Sequence, residues 1–182
     1  KGIQAGHLQE HAGKVVWSEL GQLREMEGVL ISNELVDDLP VHRLKKVQGQ
    51  LQEVYVVYNP NQQVFEEALG GLSTAQLGRY AQMIAEGEEM TVNLEIAPWQ
   101  EAIAKALKKG FVITIDYGGT QEEITGRFRR GEGLIWSGHE EDIGMPEIYR
   151  RLASNQALNI TTFAHFAEII AAGRIVGLND IG

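Results

Sequence analysis

Two uninterrupted apolar runs stand out from a chain that otherwise alternates. The first, Gly28-Val29-Leu30-Ile31, leads at once into Ser32-Asn33-Glu34 and, three residues on, Asp37. With no polar residue inside it, this run predicts a strand buried on both faces, as in parallel sheets. The second, Phe111-Val112-Ile113-Thr114-Ile115, ends in Asp116-Tyr117-Gly118-Gly119 and repeats the design of β-branched residues followed by an acid. Ahead of it, Pro98 opens a helix with Trp99, Ile103, Ala106 and Leu107 on its apolar face, and Lys108-Lys109-Gly110 closes it. A helix feeding a strand in this way is the second half of a right-handed parallel crossover. The two strands are therefore expected side by side, each delivering an acid to the carboxyl edge, where open α/β sheets bind ligands.

Between the two runs the pattern changes to strict alternation. Val41 to Val47, the turn Gln48-Gly49-Gln50 and Leu51 to Tyr58 predict a β-hairpin. After the break at Asn59-Pro60-Asn61, Gln62 to Leu69 is a third strand or a turn of helix, and Gly70-Gly71 is a loop. Ser73 to Gln76 cap a helix with Leu77, Tyr80, Ala81 and Ile84 on one stripe, and Glu88 to Ile96 is another alternating strand. The chain is thus read as an α/β core from 1–43 and 97–182, with an α+β hairpin and helix subdomain inserted at 44–96. Toward the ends, Gly2 to His11 is the tail of a helix and Val15 to Trp17 a short strand. Gly133 to His139 is a strand, Asn159 to Thr162 a cap-like turn, Phe163 to Ala172 a helix ended by Gly173, and Arg174 to Leu178 a last strand.

Composition narrows the class. The 182 residues suffice for a real core, 43% are hydrophobic and 23% charged, and no apolar run is long enough to span a bilayer. A formal net charge of -9 argues against binding to a nucleic-acid backbone and suits a basic protein partner. The absence of cysteine removes disulfides and thiolate chemistry together. The cytoplasm is the default location. No apolar region of a signal peptide follows Lys1, and an opening in mid-helix without Met predicts a fragment whose N-terminal part lies upstream.

The chemistry concentrates after the first run. If Asn33 caps a helical turn, Glu34 and Asp37 stand at i and i+3 on one face, so two carboxylates converge above the strand end, and Pro40 stops the turn. The same residues would serve equally as an ordinary helix cap. Trp17 fits an interior aromatic, and Asp116 fits a group that orders the sheet edge. Glu34, Asp37 and Asp116 could also be read as oxygen ligands of Mg²⁺ in a hydrolase, although acids at strand ends do not by themselves specify a metal.

The segment Ser32-Asn33-Glu34-Leu35-Val36-Asp37-Asp38-Leu39-Pro40-Val41-His42-Arg43-Leu44 resembles the signature of the MidA family, S-adenosylmethionine-dependent methyltransferases whose mitochondrial member methylates a protein arginine during complex I assembly. Thr91-Val92-Asn93-Leu94-Glu95 with Pro98-Trp99, and Gly110 to Gly118, are similar to further motifs of that family in the same order. Two other patterns survive only in part, as Gly131-Glu132-Gly133 with His139 and as Asn159 to Phe166. The family's glycine-rich cofactor loop does not occur in this sequence.

The resemblance implies a partial class I methyltransferase Rossmann-like sheet, S-adenosylmethionine as cofactor and an arginine-bearing protein as substrate. It implies catalytic roles for Glu34, Asp37 and Asn33, which would hold the guanidinium in a bidentate grip. His42 or His139 would remove the proton. Trp17, Ser18 and Ser32 would line the cofactor pocket. No metal is implied, nor any nucleic acid or membrane insertion. A homodimer remains open, and the compartment would be the bacterial cytoplasm or the mitochondrial matrix. A non-catalytic binding or assembly module is the competing reading.

Overall fold

The computed structural model describes residues 6–129, 134–136, 145–154 and 160–181. Strands β1 (Met26–Asn33) and β6 (Leu107–Ile115) pair in parallel, with Val29 opposite Phe111, Ser32 opposite Thr114 and Asn33 opposite Ile115. The expected adjacency of the two runs is met. Their burial on both faces is not. Val112 and Thr114 share a cavity wall with Gln100 of helix α1 (Ile96–Ala106) and Phe166 of helix α4 (Phe166–Ile175). On the opposite face Val29 is 49% exposed and Ile31 68%, with Phe111, Ile113 and Ile115 exposed beside them. Among the described residues, helices cover one side of this pair only.

Helix α1 also stops earlier than its apolar stripe predicts. Leu107 to Lys109 already belong to β6, and the lysine of the last helical turn is Lys105. Lys108 instead pairs with Glu25 and Glu27 at the start of β1, at 3.5 and 3.4 Å.

The inserted segment forms a four-stranded antiparallel sheet in the order β4 (Val64–Gly70), β3 (Gln50–Asn59), β2 (His42–Val47), β5 (Glu89–Val92). Gln48 and Gly49 both take positive φ, 52° and 75°, as a two-residue turn between twisted strands requires. A 3-10 helix over Ala75–Gln82, capped by the Thr74 hydroxyl, lays Leu77 and Tyr80 on Leu44, Met90 and Val92. This cluster gives the inserted sheet a core of its own.

The remaining elements close around the end of β6. Gly118–Gly119 (β7) pairs in parallel with Ala164–His165 (β10), and Leu134–Trp136 (β8) pairs antiparallel with Ile160–Thr162 (β9). Helices α2 (Gln121–Arg129) and α3 (Met145–Ala153) lie between them in sequence. Ile160 to Thr162 is thus a strand where a cap was expected, because β8 supplies a ladder partner. Helix α4 runs through Gly173 and is closed by Gly177, at φ 90°, with Leu178 N–H donating to the Gly173 carbonyl at 3.0 Å. The last strand expected at 174–178 is therefore helix end and turn. Val15 to Trp17 has no regular secondary structure and pairs with no strand among the described residues, and Val16 is 87% exposed. No described helix is long and apolar enough to cross a membrane.

Candidate functional site

The segment after β1 forms a tight turn rather than a helix. Glu34, in the left-handed region at φ 48°, donates its N–H to the Ile115 carbonyl at 2.9 Å and so extends the parallel ladder by one step. Asn33 is the last residue of β1, not a helix cap. The turn is organised by an acid 79 and 80 residues away: Asp116 Oδ2 accepts from Val36 N–H at 2.8 Å and Asp37 N–H at 3.3 Å, and its Oδ1 from Tyr117 N–H at 2.7 Å. Val36 is driven into the cluster of Ile96, Ala164 and Ile169, which fixes the next residue beneath the surface. Asp37 also accepts at its carbonyl from Thr162 N–H at 3.0 Å, tying the turn to β9.

Asp37 is consequently 6% exposed, and its Oδ1 has no hydrogen-bond partner. Burial pushes its carboxyl above the ordinary aspartate range, with Asp116 and Asp38 adding like charge and Glu34 contributing last. Glu34 itself is exposed. The two carboxylates are electrostatic neighbours on a turn, one sunk and one in solvent, instead of equals on a helical face.

On the other side of this turn stands the inserted sheet. His42 Nδ1 lies 2.7 Å from Glu53 Oε1, while Glu53 Oε2 accepts from Ser73 N–H at 2.7 Å and from the Tyr55 hydroxyl at 3.2 Å. Burial of Glu53 opposes its ionisation, but the donors His42, Ser73 and Tyr55 outweigh it and hold the carboxyl below the ordinary range. Arg43 bonds Glu89 through Nε at 2.7 Å, and Glu67 and the Tyr149 hydroxyl at 2.7 and 3.1 Å, which links helix α3 to the sheet. Burial acts against the Arg43 charge, yet the two glutamates keep its pKa raised.

Of the other predicted residues, Ser32 donates its hydroxyl to Thr114 Oγ1 at 3.2 Å across the strand pair, and Asn33 is exposed at the rim. Trp17 is 42% exposed, not an interior aromatic, and the Ser18 hydroxyl bonds its own turn at Glu19 and Gln22. His139 lies outside the described residues. Among the described residues no three His, Asp or Glu side chains converge to hold a metal ion, so Glu34, Asp37 and Asp116 do not make the magnesium site considered from sequence.

Sequence reasoning passed over Glu53 and His165. Glu53 stands opposite the core residue Leu44 in the β2–β3 register, and an acid in phase with a core leucine was the available signal. His165 is buried on β10 with both ring nitrogens unpartnered, and burial lowers its pKa to about 4, so the ring is neutral.

Comparison with known proteins supplies a context for this rim. Residues 1–135 match the model of a family described as "Putative S-adenosyl-L-methionine-dependent methyltransferase". A superfamily member and "likely methyl transferase" from Burkholderia thailandensis, solved bound to S-adenosyl-homocysteine, is similar at TM-score 0.75 and 24% identity over 95% of this chain and 43% of that one. An uncharacterized superfamily protein from the same organism is similar at TM-score 0.74 and 23% identity, over 95% of this chain and 45% of that one. The chain spans less than half the length of either protein. The likeness confirms an α/β methyltransferase fold. No curated protein matches.

Proposed function

We propose, because this chain belongs to that S-adenosyl-L-methionine-dependent methyltransferase family, that the intact protein methylates a guanidinium nitrogen of a protein arginine, in the manner of the MidA type. The observation that carries the reading is Asp37: a buried carboxylate with an unfilled acceptor oxygen, held by Asp116 at the carboxyl edge of a parallel strand pair. When bound, the cofactor supplies an electrophilic methyl group on a sulfonium.

The residues present fit such a group. Ser32 and Thr114 place two hydroxyls side by side at the strand ends, and Trp17, 42% exposed, would offer its ring to a planar base, with Ser18 next to it in sequence. Asp37 would take one edge of the guanidinium, Glu34 would reach over it from solvent, and Asn33 would bond beside them. Such a grip fixes the nucleophilic nitrogen in line with the methyl group, which is the main contribution a protein makes to a displacement of this kind. The formal charge of -9 favours the approach of a basic segment.

Calorimetric titration with S-adenosylmethionine, followed by mass spectrometry of an arginine-rich peptide, tests the reading. Cofactor binding and a methylated arginine are expected. Glu34→Ala, at an exposed position, should cut transfer about 100-fold while leaving cofactor affinity and melting temperature unchanged, as for loss of one transition-state contact. Full activity in that variant would remove Glu34 from the grip.

A further inference from the structure

The seam between the inserted segment and the helices of the core carries a groove of about 390 Å³. One wall is helix α4, where Glu168, Ala171, Ala172 and Ile175 stand at i, i+3, i+4 and i+7 and so share a single face. The facing wall is Arg79 and Tyr80 of the 3-10 helix, Met83 at its end, and Leu94 ahead of helix α1. The volume falls in the range of small-ligand sites, roughly 300–1,000 Å³.

The groove is polar at one end and apolar along the rest. From Glu168 to Ile175 the helical face runs about 10 Å at a rise of about 1.5 Å per residue, and beyond Glu168 it holds only alanine and isoleucine. Ile175 is 85% exposed and Met83 52%, so the groove presents large apolar side chains to water.

Both charged groups of the wall gather at the Tyr80 hydroxyl. Arg79 Nη2 donates to it at 2.8 Å, and the guanidinium lies 4.9 Å from the centre of the buried Tyr80 ring, which holds the fork in place. Glu168 interacts with the same hydroxyl and feels the Arg79 charge, yet burial prevails and pushes its carboxyl above the ordinary glutamate range. Among the described residues neither Arg79 nor Glu168 makes an ion pair, with the other or with a third group. The guanidinium spends one donor on Tyr80 and keeps the others for a ligand.

A simple acid would match Arg79 and leave Glu168 unmatched, and a simple amine would do the reverse. A molecule that carries both charges on one carbon answers the pair, and an apolar substituent on that carbon follows the face toward Ile175. We infer that this groove is a binding site for a free apolar α-amino acid, with the carboxylate on Arg79, the ammonium on Glu168 and the side chain along Met83, Leu94 and Ala172. The site is separate from the rim at Asp37 and does not depend on the methyl-transfer reading.

Nuclear magnetic resonance of the intact protein with L-leucine as probe tests the inference. Saturable shifts are expected at the Arg79 side chain and at the amides of residues 93–97 and 168–175. Three analogues each remove one point of recognition: 4-methylpentanoate lacks the ammonium, leucinamide the carboxylate and glycine the side chain. Each should bind about tenfold more weakly or worse. Arg79 is exposed, so Arg79→Gln keeps the fold. It should weaken leucine about tenfold and leave leucinamide bound no more weakly than before. Glu168→Gln should do the converse, weakening leucine while 4-methylpentanoate loses nothing. Equal affinity for leucine and either single-charge analogue, or leucine affinity untouched by both replacements, would overturn the paired-charge site. Shifts absent, or confined to residues outside the groove, would overturn the groove itself.

Discussion

Asp37 and Glu53 are buried to the same degree, 6% and 5% exposed, yet one carboxyl is pushed above its ordinary range and the other held below it. Burial disfavours the charge in both. The turn after β1 gives Asp37 three acidic neighbours, Asp116, Asp38 and Glu34, and leaves Oδ1 unfilled, whereas the inserted sheet surrounds Glu53 with three donors. Donors and like-charged neighbours, not depth, decide the sign. A saturated acid is structural; an unsaturated one stores an unfavourable interaction that a cationic ligand can relieve.

The largest test of this contrast is Asp116→Ala. It leaves the N–H groups of Val36, Asp37 and Tyr117 without their acceptor and should cost about 3 kcal/mol of unfolding free energy, measured by denaturant titration, since the bonds to the two buried residues, Val36 and Asp37, are each worth at least roughly 1.5 kcal/mol and the exposed Tyr117 N–H turns to water. Glu53→Gln keeps the shape and removes the charge, and should destabilise by about 2 kcal/mol at neutral pH. Its effect should vanish in acid: a carboxyl lowered in the fold stabilises above the ordinary glutamate value of about 4.3 and loses that contribution as pH falls through its own, lower value. Asp37→Asn should do the opposite and stabilise by about 1 kcal/mol at neutral pH, the usual gain when a strained functional group is relaxed. Here the native contribution is complete below the ordinary aspartate value of about 3.9 and is lost as pH rises through the elevated one, so the variant's advantage grows with pH in thermal melts across that window. If both variants shift stability in the same direction, donors and like-charged neighbours are not what separates the two sites.

What the sequence revealed follows the range over which each cause acts. The pairing of β1 with β6 was legible because β-branched runs and their terminal acids are local signals, and so was the β2–β3 hairpin with its Gln48-Gly49 turn. A helical turn capped by Asn33 was the expectation for residues 34–40, and it fails because the segment's organiser, Asp116, is distant in sequence. Val15 to Trp17 has the composition of a strand but no ladder partner among the described residues, and propensity without pairing does not make one. Asp37 was singled out as a candidate, but its sunken state depends on Val36 entering the cluster with Ile96 and Ile169, which no spacing rule contains. Glu53 was missed because its pairing with His42 spans eleven residues across the hairpin, although its phase with Leu44 was a readable signal.

Far from the chemistry, Gly28 and Gly110 face each other in the strand register, at φ 155° and 147°. A methyl group on Gly110 would sit 1.7 Å from the Gly28 carbonyl oxygen, so the two backbones touch where neither has a side chain. Such a contact works as a mechanical index. It sets how far one strand can slide along the other, and through rigid extended chain it keeps Ser32 level with Thr114 some four residues further on. Tolerance to change at this remote spot is thereby tied to the alignment of groups that no substitution there would touch.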